Sequence, residues 1–265
     1  MIQTATLPVS DGAVTAVRHA GEEGHALVFV HGVGSTAAIW DAQLEAFASR
    51  FRCYAIELRG NGVPKPEPDP EAISREGYAR DVLAVADWAQ LERFTLVGCS
   101  LGGVVAFELW SRVPERLSSL VIVGSFASYP NGQSYADGIK EAVRAAGDMA
   151  AFAKARAPKL GLPPARERET VDQMAVKETA SYLAATQATW TGDYTELLSS
   201  ITVPTLVTCG MRDAIAPPAL SQVIAAGIPG AAFEMVPDAG HVANADNPAA
   251  FNVMLEAFLT AVPSR

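Results

Sequence analysis

The chain has 265 residues, of which 49% are hydrophobic and 18% charged, and its formal net charge is −9. This length and composition predict one globular domain, with or without an insertion, and exclude a disordered chain. The acidic balance, with no cluster of Lys and Arg in the sequence, argues against a nucleic acid or an anionic membrane as a partner.

The cysteines and the first residues of the chain indicate a cellular compartment. Cys53, Cys99 and Cys209 each lie in or beside an apolar run, and no two of them form a Cys-x-x-Cys pair. Buried free thiols of this kind suit a reducing compartment. Residues 1–4 do not begin a secretory leader, and no apolar run approaches the roughly 18 residues of a membrane span. We therefore expect a soluble, cytoplasmic protein with no membrane partner.

Eight runs of the sequence predict β-strands. The first two alternate around an Asp-Gly turn at residues 10–12, and several later ones are apolar throughout, as in strands buried on both faces of a parallel sheet. In chain order the predicted strands cover residues 3–9, 13–19, 26–30, 52–58, 94–98, 120–124, 203–209 and 232–236.

Helical spacing of apolar residues fills the intervals between most of these strands. Ser74 is the predicted N-cap of a helix that ends near residue 89, and prolines in 64–70 mark an exposed loop before it. Two weaker helical stretches cover residues 136–155 and 171–189. A final helix is predicted for residues 248–262.

The order of these elements predicts an α/β fold. Strands alternate with helices as far as residue 126 and end in glycine-bearing loops, which is typical of a mostly parallel, doubly wound sheet flanked by helices. Residues 127–198 contain no predicted strand, so we expect a helical cap, or lid, inserted after the sixth strand. The core of the fold then comprises residues 1–126 and 199–265.

A serine lies where a predicted strand meets a predicted helix. It is the centre of Gly98-Cys99-Ser100-Leu101-Gly102, a Gly-x-Ser-x-Gly pattern. A sharp strand-to-helix turn of this kind presents the serine hydroxyl, and its glycines avoid collisions that a β-carbon would cause. Ser100 is therefore the candidate nucleophile.

A serine nucleophile needs a base to accept its proton and a carboxylate to orient that base. In hydrolases with this type of turn, the acid and then the histidine follow the serine along the chain. His241 is the only one of the four histidines after Ser100, and it follows the last predicted strand. Asp213, in the loop after the preceding strand, is the favoured acid. Asp238 and Asp246 are its rivals because both lie near the histidine in sequence.

Two backbone amides are candidates for the oxyanion hole, which stabilises the negative oxygen formed during acyl transfer. Leu101 follows the nucleophile at the start of its helix, and Val33 lies in the His31-Gly32-Val33-Gly34 loop after the third strand. These are the two places from which such hydrolases take their donors. We expect the His31 ring to bond nearby backbone and shape the loop rather than to act as a base.

Five short motifs together resemble one family of enzymes. In chain order they are His31-Gly32-x-Gly34, Arg59-Gly60-x-Gly62, Gly98-x-Ser100-x-Gly102-Gly103, Gly210-x-x-Asp213 and Gly240-His241. They resemble the α/β-hydrolase superfamily and, in detail, its capped carboxylesterases and 3-oxoadipate enol-lactonases. The resemblance implies the α/β-hydrolase fold and a triad of Ser100, Asp213 and His241.

The same resemblance implies a reaction. It implies a serine hydrolase that cleaves carboxylic esters of small to medium-sized substrates through an acyl-enzyme, with no metal and no organic cofactor. The alternative is a lactonase of the 3-oxoadipate enol-lactone type. A carbon–carbon bond hydrolase, a perhydrolase and a non-catalytic hydrolase-like receptor also remain open.

Fewer residues point to the substrate, which is expected to be a small ester or lactone. Phe126 follows a strand end and Val242 follows the candidate histidine, so both are candidates for lining an apolar pocket. Trp190 lies late in the predicted cap and either lines the same pocket or packs in the core of the cap. Three cations of the predicted cap either face the site and bind a substrate carboxylate or are solvated surface charges: Lys154, Arg156 and Lys159.

Overall fold

An eight-stranded sheet forms the centre of the fold in the computed structural model, which describes residues 1–9, 14–61, 68–160 and 162–262. The predicted turn at 10–12 and part of the predicted proline loop lie outside the described residues. In chain order the strands are β1 (Gln3–Pro8), β2 (Val14–Ala20), β3 (Ala26–Val30), β4 (Arg52–Glu57), β5 (Phe94–Cys99), β6 (Leu117–Val123), β7 (Thr205–Gly210) and β8 (Ala232–Val236).

The strands pair in the order β1-β2-β4-β3-β5-β6-β7-β8. Strand β2 is antiparallel to both of its neighbours, and all the other pairings are parallel. Every residue of β3, β5 and β7 is buried, as their apolar sequences predict. The mostly parallel sheet is thus confirmed, and the loops after β3, β5, β6, β7 and β8 all leave from the same edge.

Helices cover both faces of the sheet. The predicted N-cap of the second helix is present, because Ser74 Oγ accepts a hydrogen bond from the Gly77 amide at 3.0 Å. In chain order the α-helices are α1 (Asp41–Phe47), α2 (Arg75–Trp88), α3 (Leu101–Arg112), α4 (Gly132–Ala146), α5 (Met149–Arg156), α6 (Pro164–Ala175), α7 (Thr179–Trp190), α8 (Pro218–Gly227), α9 (Ala243–Asp246) and α10 (Pro248–Ala261).

The two helical stretches predicted between β6 and β7 are in fact four helices, α4 to α7. Gly147 ends α4 with a φ of +86°, and the Asp148 side chain then accepts a hydrogen bond from the Ala151 amide at 2.7 Å to start α5. Glu178 starts α7 in the same way through the Ser181 amide at 2.8 Å. Apolar spacing alone did not reveal these local stops.

The segment of α4 to α7 is fastened to the rest of the fold at its ends and in its middle. Ser128 and Asp193 form an antiparallel bridge that brings the two ends of the segment together. Between α6 and α7, the Lys177 ammonium donates to the carbonyl of Ser35 at 3.0 Å and to that of Asn61 at 2.5 Å. This buried lysine therefore holds the helical segment against the loops that follow β3 and β4.

None of the described helices is long and apolar enough to cross a membrane.

Candidate active site

Ser100 occupies the sharp turn between β5 and α3. Its backbone has φ 54° and ψ −112°, a conformation that L-residues rarely adopt. The turn is so tight that a β-carbon on Gly98 would lie 2.2 Å from the Gly102 carbonyl oxygen. The Ser125 hydroxyl donates to the Ser100 carbonyl at 2.8 Å. The predicted strand–turn–helix at this serine is therefore present, with the strained backbone held by its surroundings.

His241 lies between Ser100 and Asp213. Its Nε2 is 3.1 Å from Ser100 Oγ, and its Nδ1 is 2.9 Å from Asp213 Oδ2. A carboxylate only accepts hydrogen bonds, so Nδ1 carries the ring proton and Nε2 is left to accept one from the serine hydroxyl. The loops after β5, β7 and β8 thus bring together the three side chains that the sequence predicted.

Asp213 is held in place by the start of its own loop. Its Oδ1 accepts hydrogen bonds from the amides of Ile215 and Ala216, both at 2.9 Å. The residue is 4% exposed. These bonds fix the direction in which the carboxylate faces His241, which is what an orienting group requires.

The two rival carboxylates lie elsewhere. The Asp238 side chain is 84% exposed and 3.5 Å from Arg212. Asp246 is close to the histidine loop, but it accepts a hydrogen bond from the Gly240 amide at 2.9 Å rather than from the imidazole. Burial raises the pKa of Asp246. Asp213 is thus the carboxylate that contacts His241.

The residues of the two predicted oxyanion donors lie beside Ser100. Leu101 is the first residue of α3, where amides have no partner within the helix and the helix dipole is positive. Val33 lines the cavity beside Ser100, and a β-carbon on its neighbour Gly32 would lie 3.2 Å from Ser100 Cβ. Neither amide donates a hydrogen bond to another group in the described parts of the chain. Both can therefore bind a ligand oxygen.

His31 shapes the loop that carries Val33, as predicted. Its Nδ1–H donates to the Gly32 carbonyl at 2.8 Å, and its Nε2 accepts from the Leu58 amide at 3.1 Å. Burial lowers the pKa of His31 to about 3, so the ring is neutral. Glu57 lies beside it and accepts from the Ala37 amide at 2.8 Å, and burial raises the pKa of this carboxyl to about 7. Both side chains therefore position backbone and do not contact Ser100.

A small cavity of about 50 Å³ lies over Ser100 and His241. Val242 and Trp190 line it, as predicted. Phe126 does not line it but stacks on the far side of the wall against Trp190, with ring centroids 5.1 Å apart. The prediction for Phe126 was wrong because its side chain supports the wall residue Trp190 instead of forming the wall.

Several wall residues were missed by the sequence analysis. Met174 and Ile215 are apolar examples, and Arg166 is a charged one. Of the three cations considered for the site, Arg156 lines the cavity, whereas Lys154 and Lys159 are exposed. Among the residues that the structure describes, no group of three or more His, Cys, Asp or Glu side chains could hold a metal ion.

Gly124, at the end of β6, adjoins the contact between Asp213 and His241. Its φ is +52°, and a β-carbon there would lie 3.0 Å from Asp213 Oδ2. We expect Gly124→Ala to destabilise the fold by about 1–3 kcal/mol through backbone strain and to lower hydrolytic activity by displacing the carboxylate. Chemical denaturation and kcat measure the two effects.

Gly138 provides the matched control for that variant. It lies inside α4, and a β-carbon there would meet nothing within 4 Å. Gly138→Ala is expected to stabilise the fold by about 0.5–1 kcal/mol, with activity unchanged. Equal stability changes at both positions would contradict the argument for Gly124.

Comparison with known proteins places this fold and site in a family. A model of the alpha/beta hydrolase family matches residues 27–253. The chain therefore belongs to that family, and it is a hydrolytic enzyme of the α/β-hydrolase superfamily.

Individual relatives carry several enzymatic names. The chain is 30% identical over 243 residues to an Azorhizobium caulinodans protein named "Putative carbamate hydrolase RutD", covering 86% of this chain and 88% of the other. It is 25% identical over 260 residues to 3-oxoadipate enol-lactonase 2 of Acinetobacter baylyi, covering 96% of each. A solved thermophilic esterase from Thermogutta terrifontis, with malate bound, has a TM-score of 0.84 and 27% identity, and it covers 98% of this chain and 99% of its own.

Proposed function

We propose that the chain is a serine hydrolase that cleaves carboxylic esters of small to medium-sized molecules through an acyl-enzyme. One observation carries the proposal: His241 lies within hydrogen-bond distance of both Ser100 and Asp213, at 3.1 and 2.9 Å, and both Ser100 and His241 line a cavity. This is the geometry that activates a serine nucleophile. The similarity to the esterase from Thermogutta terrifontis supports the ester as the bond that is cleaved.

In the proposed reaction, His241 Nε2 takes the proton of Ser100 as Oγ attacks the ester carbonyl. The amides of Val33 and Leu101 bind the oxygen that becomes negative, and each such donor contributes about 3 kcal/mol to transition-state stabilisation. The imidazolium, oriented by Asp213, then gives its proton to the departing alkoxide. Water next loses a proton to His241, attacks the acyl carbon and releases the acid, and Ser100 regains its proton.

We also propose that residues 127–198 form a cap that selects the substrate, with residues 1–126 and 199–265 as the core. The bridge between Ser128 and Asp193 supports these boundaries, because it closes the segment at its base. Arg156, Met174 and Trp190 of this segment all line the cavity. The cap would therefore set the size and charge of the accepted substrate.

A cytoplasmic location is proposed on the state of the cysteines. Cys53, Cys99 and Cys209 are all free and buried. Burial raises the pKa of each thiol, to about 12 for Cys53 and about 11 for Cys209. Unpaired thiols of this kind suit a reducing compartment.

A lactone is the second candidate substrate, and the similarity to the enol-lactonase of Acinetobacter baylyi favours it. Opening a lactone uses the same attack by Ser100, but the alcohol stays attached to the acyl group. The relative named as a carbamate hydrolase adds a third acyl compound with the same kind of carbonyl carbon. A panel of p-nitrophenyl esters, lactones and carbamates, compared by kcat/KM, distinguishes the three.

The acyl-enzyme itself is the test of the proposed function. Mixing the enzyme with p-nitrophenyl acetate should release a burst of p-nitrophenol equal to the enzyme concentration. Mass spectrometry of the quenched, digested protein should then find one acetyl group, on the peptide that contains Ser100. Turnover without a burst and without an adduct on that peptide would contradict the proposal, and an absence of any turnover would favour a non-catalytic receptor.

A further inference from the structure

The wall of the cavity has a charge opposite to that of the whole protein. The chain has a net charge of −9, yet the described residues that line the cavity include Arg156 and Arg166 and no Asp or Glu. The same cavity contains Ser100 and His241. Positive charge has therefore been concentrated where the substrate binds, which favours the binding of an anion.

Arg156 differs from Arg166 in its neighbours, which include no carboxylate in the described parts of the chain. It is partly buried at the end of α5, and the groups that act on it are the phenols of Tyr129, Tyr135 and Tyr182. Burial lowers its pKa and the three phenols raise it, with a net rise, so the guanidinium stays charged. Within the described parts of the chain, no carboxylate lies within 4.0 Å of it.

A partly buried cation without a counter-ion is unfavourable unless a ligand supplies the opposite charge. Tyrosine hydroxyls can fix the direction of the guanidinium, but they leave its charge uncompensated. A guanidinium binds a carboxylate through two parallel hydrogen bonds, and these are among the strongest that proteins form. The missing partner of Arg156 thus has the properties of a substrate carboxylate.

Arg166 adds positive charge on the neighbouring helix α6. Its Nη1 is paired with Glu169 of the same helix, while its Nε is buried and has no hydrogen-bond partner. The pairing neutralises part of its charge. We therefore assign to Arg166 a supporting part, and to Arg156 the main one.

We propose that the substrate carries a free carboxylate in addition to the bond that is cleaved, and that Arg156 binds this carboxylate. This inference rests on the proposed function, because it concerns the same cavity and the same nucleophile. The carboxylate belongs either to the acyl portion or to the alcohol portion of the ester. Both give the same ion pair, and matched substrates separate them.

Each substrate pair replaces a carboxylate with an isopropyl group of similar shape. For the acyl portion, the pair is mono-p-nitrophenyl glutarate and p-nitrophenyl 5-methylhexanoate. For the alcohol portion, it is acetoxyacetate and isobutyl acetate, followed by pH-stat titration. The wild-type enzyme should favour the anionic member of at least one pair by about 10- to 100-fold in kcat/KM, the range expected for a hydrogen bond to a charged group.

The variants test whether Arg156 is the source of that preference. Arg156→Met keeps the length of the stem and removes the charge, so it should lower kcat/KM for the preferred anionic ester by about 10- to 100-fold more than for its neutral partner. Arg156→Lys should recover part of the loss. Arg144→Met is the matched control, because Arg144 is exposed on α4, pairs with Glu141 at 2.8 Å and does not line the cavity.

A measurement on the wild-type enzyme avoids any effect of a variant on folding. Glutarate should inhibit hydrolysis of the neutral p-nitrophenyl ester competitively, and glutaramide should inhibit it much more weakly. Equal inhibition by the two compounds, or equal losses on both members of a substrate pair in Arg156→Met, would overturn the inference. Turnover of neutral esters through Ser100 without an anionic preference refutes this inference alone, whereas no turnover of any ester refutes the proposed function.

Discussion

Replacing Ser100 with alanine should lower kcat for ester hydrolysis by at least about 10⁴-fold, because no other nucleophile is activated in its place. Cys99 is adjacent in the chain, but its thiol is buried, with its pKa raised by burial, and is therefore inert. The residual rate would come from the oxyanion donors and from substrate binding. Stopped-flow measurement with p-nitrophenyl acetate should also show that the burst has disappeared.

Ser134→Ala is the control for this variant. Ser134 is exposed on α4, so its loss should leave kcat unchanged. Circular dichroism should show that both variants keep the fold, since alanine is no larger than serine at the turn. A Ser100→Ala enzyme that retained its burst would show that the nucleophile lies elsewhere.

The contact of His241 with Ser100 and Asp213 could be predicted, because the strand topology alone brings the three residues together. Ser100, Asp213 and His241 follow three parallel strands, and parallel strands end at one edge of a sheet. Three positions far apart in the sequence therefore meet once the strand order is that of the family. The role of His31 could also be predicted, for a different reason: a neutral ring that is bonded to backbone suits a buried loop.

The wall of the cavity could not be predicted in this way. Phe126 follows a strand end as Ser100 does, but the direction of a loop side chain depends on what packs against it, and here Trp190 takes the cavity side. Arg166 is close in sequence to Glu167, Arg168 and Glu169, a pattern of alternating charge that is typical of a solvated helix face. Its place in the cavity arises from the packing of four helices, of which the sequence predicted two.

Asp213→Asn should lower kcat by about 10⁴-fold with little change in the fold, because it moves the ring proton of His241 from Nδ1 to Nε2. The amides of Ile215 and Ala216 donate to Oδ1 at 2.9 Å, so the amide oxygen of the new side chain should stay on them. Its NH₂ group would then face Nδ1, which must become the acceptor, and the ring proton would move to Nε2. An imidazole in that state cannot take the proton of Ser100.

Asp246→Asn provides the comparison that makes this result specific. Asp246 lies in the same loop region as the histidine, but it contacts the Gly240 amide and not the ring, so its replacement should lower kcat by less than about tenfold.

The pH–rate profile separates the effects of the two variants further. The Asp213→Asn enzyme should regain activity at high pH, where hydroxide can replace the missing base. A loss of equal size in both variants would mean that the loop as a whole, rather than the carboxylate on Nδ1, sets the rate. Equal activity of the Asp213→Asn and wild-type enzymes would remove Asp213 from the mechanism altogether.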